Sequence, residues 1–487
     1  MVHGETASLD FCSGSLGRGS APAPRPPDKS WRSVPESDQA KPCFISTGSF
    51  FFLQFQDSLL PQVDQELPFA RHRIGFIQEI DMVENAVEVR SGEKEASELG
   101  VEATDDKTLV VHLKNTCTYF DQICAAACMS PVRQDMVESG GDLWYADPAT
   151  NIGNGAFNLV EWVNQDYIEM AASDTYYDKE KVGPSKLTWL LTDDANTTLA
   201  NFESGEIMYA GTYPTEELDR LKDAGYLEST LIAGTYYIMF NEETDVEALK
   251  DPRVRRALGL VIDRDYIVNT ISKTGEVPAD SWIGPGFPGA DGVDFHDANT
   301  DKFWDLTTLD ANIEEAKALM EEAGYPNGEG FPAIKYSTNN TPNHIAIAEY
   351  LQSVWKETLG VDMTVDVQEW AVFLDMRNKG EYELARGGWT ADFLDPSSLF
   401  ELCLSTGGNN DTGYANERYD ELMYAAQSEP DPVKRFEYFH EAESILKEDL
   451  PFIPLYYYTA AYLADSENYE GYFNYLAFPM FRYVHAK

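Results

Sequence analysis

The residues with the strongest chemical potential share one short segment, Ala385-Arg386-Gly387-Gly388-Trp389-Thr390-Ala391-Asp392-Phe393-Leu394-Asp395-Pro396. It offers a guanidinium, a carboxylate and two aromatic surfaces within a few positions. The set thus presents both charge signs beside a stacking surface. The pattern predicts a strand over 382–386 that leaves through the two glycines. A helix follows from Pro396, with Asp395 as its N-cap. In open α/β sheets, ligands bind in crevices beyond the carboxyl ends of strands. On spacing alone a plainer arrangement competes, with Trp389 in a core, Asp392 in a turn and Arg386 on the surface.

No other motif singles out a reaction. A glycosidase needs two facing carboxylates, and 83 acidic residues supply candidates without selecting any. There is no G-x-S-x-G, P-loop or G-x-G-x-x-G in a strand–turn–helix setting. Asn154-Gly155 and Gly407-Gly408 read as turns. Cys117, Cys124 and Cys128 cluster without metal-site spacing and read as buried thiols. The seven histidines are scattered, with no H-E-x-x-H, so a zinc site has no support.

The elements that must position the segment are legible around it. Asp105-Asp106-Lys107 is a turn leading into a strand over 108–113. Asp193-Asp194 starts a helix that buries Leu199 and Phe202 and stops at Gly205. Asp251-Pro252 is an N-cap with proline at N1, followed by Val254, Ala257, Leu258, Val261 and Ile262 at helical spacing. Asn312 with Glu315 reads as a capping box, with Gly324 at C′. Over 331–368 a strand (333–337) precedes a helix with Ile345, Ala348, Leu351 and Trp355 on one stripe. Gly360 closes that helix, and Val361, Met363, Val365 and Val367 alternate as a second strand. Strand–helix–strand implies a parallel pair in an α/β layer. Helices from Asn416 and over 431–446 precede a last strand, 452–458.

The 487 residues include 36 basic and 83 acidic side chains, a formal net charge of −47. With 43% hydrophobic residues the chain can build large cores. The charge argues against nucleic acid, whose backbone needs a basic surface, and otherwise serves solubility. Six cysteines are too few for a disulfide scaffold at this length. Residues 1–80 differ from the rest, with nine acidic and seven basic side chains, a net of −2. Over 14–42 they are rich in Gly, Ser and Pro without apolar period, which predicts disorder. The apolar run 44–60 is interrupted by Gln54, Gln56 and Asp57 and is too short for a span. No signal peptide or lipid-modified cysteine is recognisable.

From about Asp81 onward the chain resembles the extracytoplasmic oligopeptide- and dipeptide-binding proteins of peptide ABC importers, solute-binding protein family 5. The stretches that carry the resemblance run in the family's order. They are 85–113, NIGNGAFNLVEW (151–162), ESGE (203–206), YYIMFN (236–241), DPRVRRA (251–257) and ALGLVIDR (257–264). They continue through 316–326, 386–396, NNDTGY (409–414) and PFIPLYYY (451–458). The oligopeptide type of Gram-positive bacteria is the nearest in flavour. Residues 1–80 match none of the family's opening, which holds a lipoprotein signal, the first strand of lobe one and most of a small extra domain. They read as a non-homologous or wrongly framed N-terminus.

The resemblance implies an α/β, two-lobed periplasmic-binding-protein fold of type II, its N-terminal strand region missing or replaced. It divides the chain into a largely disordered segment (1–80) and a remnant of the small extra domain (81–148). Lobe I is then 149–235 plus 460–487, and lobe II is 236–459. It implies a monomeric, extracytoplasmic receptor that closes over short peptides and hands them to ABC permease and ATPase subunits, with no cofactor, no metal, no nucleic acid and no catalysis. Asp392 matches the family's aspartate for the peptide ammonium. Arg386 aligns with an arginine near the peptide carboxylate, or it holds an acid of the empty site. Trp389 and Phe393 would wall side-chain pockets, and Thr390 and Ala391 would offer backbone groups. Tyr236 and Tyr237 would add strand-edge contacts or pack at the lobe crossing, as would 456–458. Asn409 would touch ligand or shape a loop. Other ligands on the same fold (nickel, haem, oligosaccharide), a binding-impaired remnant and an extracellular carbohydrate-active enzyme are the competing readings.

Overall fold

The structure is a computed structural model that describes 6–10 by backbone alone, and 82–487 apart from 106, 126–129, 131, 193, 291 and 477. The readings made above for 14–42, 44–60, Cys128, Asp106 and Asp193 lie outside the described residues. The first thirteen strands begin with β1 Thr6–Asp10, β2 Val101–Asp105, β3 Thr108–Val111, β4 Phe157–Val163, β5 Tyr167–Ala172, β6 Lys186–Leu190 and β7 Tyr209–Ala210. They continue with β8 Leu227–Phe240, β9 Val277–Pro278, β10 Ile334–Asn339, β11 Met363–Gln368, β12 Leu384–Thr390 and β13 Phe452–Ala464. Eleven of them form one sheet in the order β11-β10-β12-β8-β13-β7-β1-β6-β5-β4, with β9 alongside β13.

Two long antiparallel strands, β8 and β13, run through both halves of this sheet. Their ladder is interrupted between the pairs Tyr457↔Thr235 and Thr459↔Leu231. There 232–234 of β8 face Tyr458 alone, an excess of residues on one strand that bends and twists a ladder. Apolar side chains gather separately on the two sides of this break. The largest cluster is drawn from 233–456 and includes Tyr236, Trp282, Trp355 and Phe400. Beyond the break, Leu187, Tyr209, Tyr462 and Phe481 form one cluster, and Leu199, Phe202, Leu221 and Leu463 another. The β2–β3 hairpin carries its own small core with Val83, Ala86, Val89 and Leu99. The chain is thus an α/β protein in two halves joined by shared strands.

Most of the helix signals hold. In α1 (Ala195–Glu203) the Asp194 carboxylate accepts the Thr197 N–H at 2.6 Å, and Leu199 and Phe202 are buried. In α2 (Pro252–Leu260) Asp251 accepts the Arg253 N–H, and Val254, Ala257 and Leu258 face the core; Val261 and Ile262 lie just past its end. The helix α3 (Leu309–Glu322) corrects one reading: it starts before Asn312, so no capping box forms there. The Asn312 amide donates back to the Asp305 carbonyl at 2.8 Å, and Glu315 pairs with Arg256. The helix α4 (Pro342–Leu359) ends at Gly360 with φ of 72°, and its buried stripe runs through Ile347 rather than Ile345. Its flanking strands β10 and β11 are parallel, as strand–helix–strand requires. Next come α5 (Trp370–Asn378), α6 (Glu417–Ser428) and α7 (Pro432–Asp449), the last two capped by Asn416 and Asp431.

Three further differences are structural. Thr6–Asp10, left in the unstructured leader by the sequence reading, lies between β6 and β7 as an antiparallel strand. β13 runs on to Ala464 rather than stopping at 458. Cys124 is exposed, Cys117 is half-buried and Cys403 is buried, so the thiols differ in environment.

Candidate functional site

The strand β12 does not leave through its glycines as expected but continues to Thr390, paired along its length with β8. The glycines make this possible. A Cβ on Gly387 would lie 2.1 Å from a ring carbon of Tyr237, and one on Gly388 would lie 2.1 Å from Tyr458 Oη. Only a residue without a side chain lets the three strands approach so closely.

Alternation along β12 then divides the segment between two faces. Arg386 lies on the face of Tyr236, whose ring stacks on Tyr456 at 4.7 Å. Trp389 lies on the face of Tyr237, which packs against Trp282 and Phe452. Tyr236 and Tyr237 are buried, and their backbones are paired on both sides, to Gly388 and Gly387 of β12 and to Tyr456 and Pro454 of β13. Strand-edge contacts with a ligand are therefore closed to them; of the two roles expected, packing at the crossing is the one available. Tyr457 is likewise committed, donating its hydroxyl to Asp280 and accepting the Ser281 N–H.

Arg386 is 8% exposed. Its Nε–H donates to the Asn339 side-chain oxygen at 2.9 Å. Its guanidinium lies over three rings, Trp370 at 5.1 Å, Phe373 at 5.7 Å and Tyr236 at 6.0 Å. Among the described residues no carboxylate pairs with it. The nearby His344 ring is pushed down to about 3 by burial and, secondarily, by the Arg386 charge, so it is neutral at ordinary pH. Its Nδ1 has no hydrogen-bond partner among the described residues. A buried cation without a counter-ion is costly.

Beyond β12 the chain is fixed at the level where β8 bulges. Thr390, exposed, pairs with Gly234, and the Ala391 N–H donates to the Ala233 carbonyl at 2.7 Å. The half-buried Asp392 follows, its N–H donating to Ser398 Oγ at 3.1 Å. Phe393 turns away into a separate cluster, stacked on Tyr119 at 5.2 Å and 7°. Asp395 accepts the Ser397 N–H and hydroxyl. The single turn Ser397–Phe400 has Pro396, not the expected Asp395, at its N-cap position, so Pro396 precedes the turn rather than opening it. Asn409 is half-buried in a turn, its carbonyl accepting the Asp411 N–H. Arg386 thus lies near the start of β12 and Asp392 just past its end, with Thr390 and Ala391 between them. Tyr237 and Trp389 line the opposite face, and Phe393 belongs elsewhere.

Sequence reasoning missed Asn339, His344, Trp370 and Phe373, which surround Arg386. Asn339 was within reach, since it ends β10, the parallel neighbour of β12. Among the described residues one group has metal-ligand character, Asp294, His296 and Asp297. Its histidine nitrogens already meet Asp280 at 2.7 Å and Asp297 at 3.3 Å.

Comparison with known proteins matches residues 58–411 to the family described as bacterial extracellular solute-binding proteins, family 5 middle, a match that begins before Asp81. The chain is 33% identical over 386 residues to the dipeptide-binding protein DppE of Bacillus subtilis, covering 79% of this chain and 69% of that one. It is 33% identical over 401 residues to the periplasmic oligopeptide-binding protein OppA of Salmonella typhimurium, covering 81% and 70%. Among solved structures it is similar to Haemophilus influenzae OppA in complex with RPPGFSPFR, with a TM-score of 0.69 and 26% identity over 91% of this chain and 84% of that one. It is similar also to the open, unliganded murein tripeptide-binding protein MppA, with a TM-score of 0.69 and 28% identity over 87% and 78%. A shared-strand fold in two halves and a sequence match over most of its length lead to one assignment: the chain belongs to family 5 of the bacterial extracellular solute-binding proteins.

Proposed function

We propose that the chain is the solute-binding subunit of a peptide ABC importer, holding short peptides between two closing lobes and delivering them to a membrane permease. The observation that carries this reading is the buried Arg386 guanidinium, which no carboxylate neutralises among the described residues. A peptide's carboxylate end would fill that seat, and the Asp392 carboxylate would receive its ammonium. The two anchors lie six positions apart, at most about 20 Å of extended chain. An extended peptide of roughly three to five residues spans that length. The relatives support the ligand class, since their names and titles describe dipeptide, oligopeptide and murein-tripeptide binding.

The lobes in this reading are 149–235 with 460–487, and 236–459, and closure bends β8 and β13 where 232–234 face Tyr458. Hinge closure buries a ligand between rigid bodies. Backbone groups near Thr390 and Ala391 would pair with the peptide as an added strand does, leaving side-chain preference weak. The chain acts outside the cytoplasmic membrane, as a monomer, and performs no catalysis. No helix among the described residues is long and apolar enough to cross a membrane.

Replacing Asp392 by alanine is expected to cost about 2–5 kcal/mol of peptide binding, the penalty for leaving a buried charge unpaired. Calorimetry on the purified variant checks this, and an unchanged dissociation constant removes Asp392 from the role. A thermal-shift screen of peptides against sugars and metal salts tests the ligand class.

A further inference from the structure

The residues just after Asp392 are held far more firmly than a loop requires. Phe393 is buried and lies flat against Tyr119, which follows the small unit formed by the β2–β3 hairpin and its core. Two positions on, the buried Asp395 is gripped by both terminal nitrogens of Arg435, at 2.7 and 2.8 Å. That guanidinium in turn lies over the Tyr119 ring at 4.7 Å and the Phe439 ring at 4.6 Å. Asp395 also accepts the Ser397 N–H of the Ser397–Phe400 turn, whose Ser398 hydroxyl accepts the Asp392 N–H. Tyr119, Phe393, Asp395 and Arg435 thus form one buried set that ends on the backbone of Asp392. Met82, Cys117 and Phe120 pack against the same cluster, so the small unit meets the large half at this point.

We propose that Tyr119 and the Asp395–Arg435 pair are positioning residues for Asp392, so that docking of the small unit tunes recognition of the ligand's ammonium group. The proposal rests on the peptide-binding reading and assigns it a control point distant in sequence from the binding segment. A carboxylate discriminates charged ligands only if its place is fixed to a fraction of an ångström, which packed neighbours ensure. Removing the Tyr119 ring frees Phe393 and one face of Arg435 together. The Asp392 carboxylate then samples several positions, and the contribution specific to a charged amine declines.

The test compares a tripeptide bearing a free amino end with its N-acetylated form, by calorimetry on the full chain. Wild type is expected to prefer the free amine by at least tenfold. Tyr119→Leu is expected to lower that ratio at least fivefold, and Tyr119→Phe, which keeps the ring, to retain it. Phe393→Leu serves as the second variant, with the same expected fall, and thermal melting verifies that each variant is folded. Tyr119→Leu and Phe393→Leu that both keep the wild-type ratio overturn the positioning role while leaving peptide binding intact. Wild type that binds both tripeptides equally overturns the Asp392 assignment, and the positioning role with it.

Discussion

Of the arginines buried among the described residues, Arg435 and Arg386 sit in opposite circumstances. Arg435 has both terminal nitrogens on Asp395, donates through Nε to the Ala426 carbonyl and is sandwiched between aromatic rings. Burial works against its charge, yet Asp395 more than offsets this and pushes the group up. Arg386 is also surrounded by rings, but its polar partners are neutral, the Asn339 amide and the Tyr458 hydroxyl. The same side chain is complete in one place and incomplete in the other. A completed pair stabilises a loop; an incomplete one stores unmet attraction for an anion that arrives later.

The comparison breaks most sharply at the completed pair. Asp395→Ala strands a buried guanidinium and is expected to cost about 3–5 kcal/mol of unfolding free energy, read from urea denaturation. Arg386→Met should act in the opposite sense on stability, leaving the urea midpoint level or raised, because an uncompensated charge gives way to an apolar chain. Its loss appears in peptide affinity instead, by about 2–5 kcal/mol. A midpoint that falls for Arg386→Met as far as for Asp395→Ala would erase the distinction. Gly388→Ala sharpens the geometry around Arg386: the added methyl meets Tyr458 Oη, and overpacking of this kind costs about 1–3 kcal/mol. The same substitution at Gly380, where no heavy atom lies within 4 Å, removes that contact term and leaves the strain of a φ of 67°.

The smallest effect concerns pH and the His296–Asp280 pair beside Tyr457 of β13. Burial lowers the His296 pKa, but the hydrogen bond and charge of Asp280 outweigh it and the net direction is upward. A raised histidine contributes stability that is present below its unfolded value of about 6.5 and is lost as pH rises through the folded value. Asp280 is shifted down, so its share is lost only in acid, below the ordinary carboxylate range. Melting temperature should therefore decline slightly as pH rises above about 6.5, and His296→Asn should flatten that decline.

Much of the frame was legible because its signals are local. Asp194, Asp251, Asn416 and Asp431 each cap a helix within three residues, and Gly360 closes α4 by its own positive φ. The segment 386–392 was found for the same reason: its charges, glycines and aromatics are contiguous. What escaped depends on distance along the chain. Arg435 reaches Asp395 across 40 residues and Asn339 reaches Arg386 across 47. Phe393 looked like a pocket wall because Tyr119, which claims it, is distant in sequence. The two tyrosines 236 and 237 looked available because a sequence cannot show that β8 is central rather than at an edge. The Asn312 capping box failed because the helix begins at Leu309, which places Asn312 inside its first turn rather than ahead of it.

The central claim is that the open seat at Arg386 belongs to a peptide's carboxylate end. Calorimetry with one tripeptide, as its free acid and as its C-terminal amide, tests this directly against wild type and Arg386→Met. Wild type should bind the acid at least tenfold more tightly than the amide, and the variant should bind both equally and weakly. Equal affinity of wild type for acid and amide, or full retention of acid binding by Arg386→Met, would contradict it.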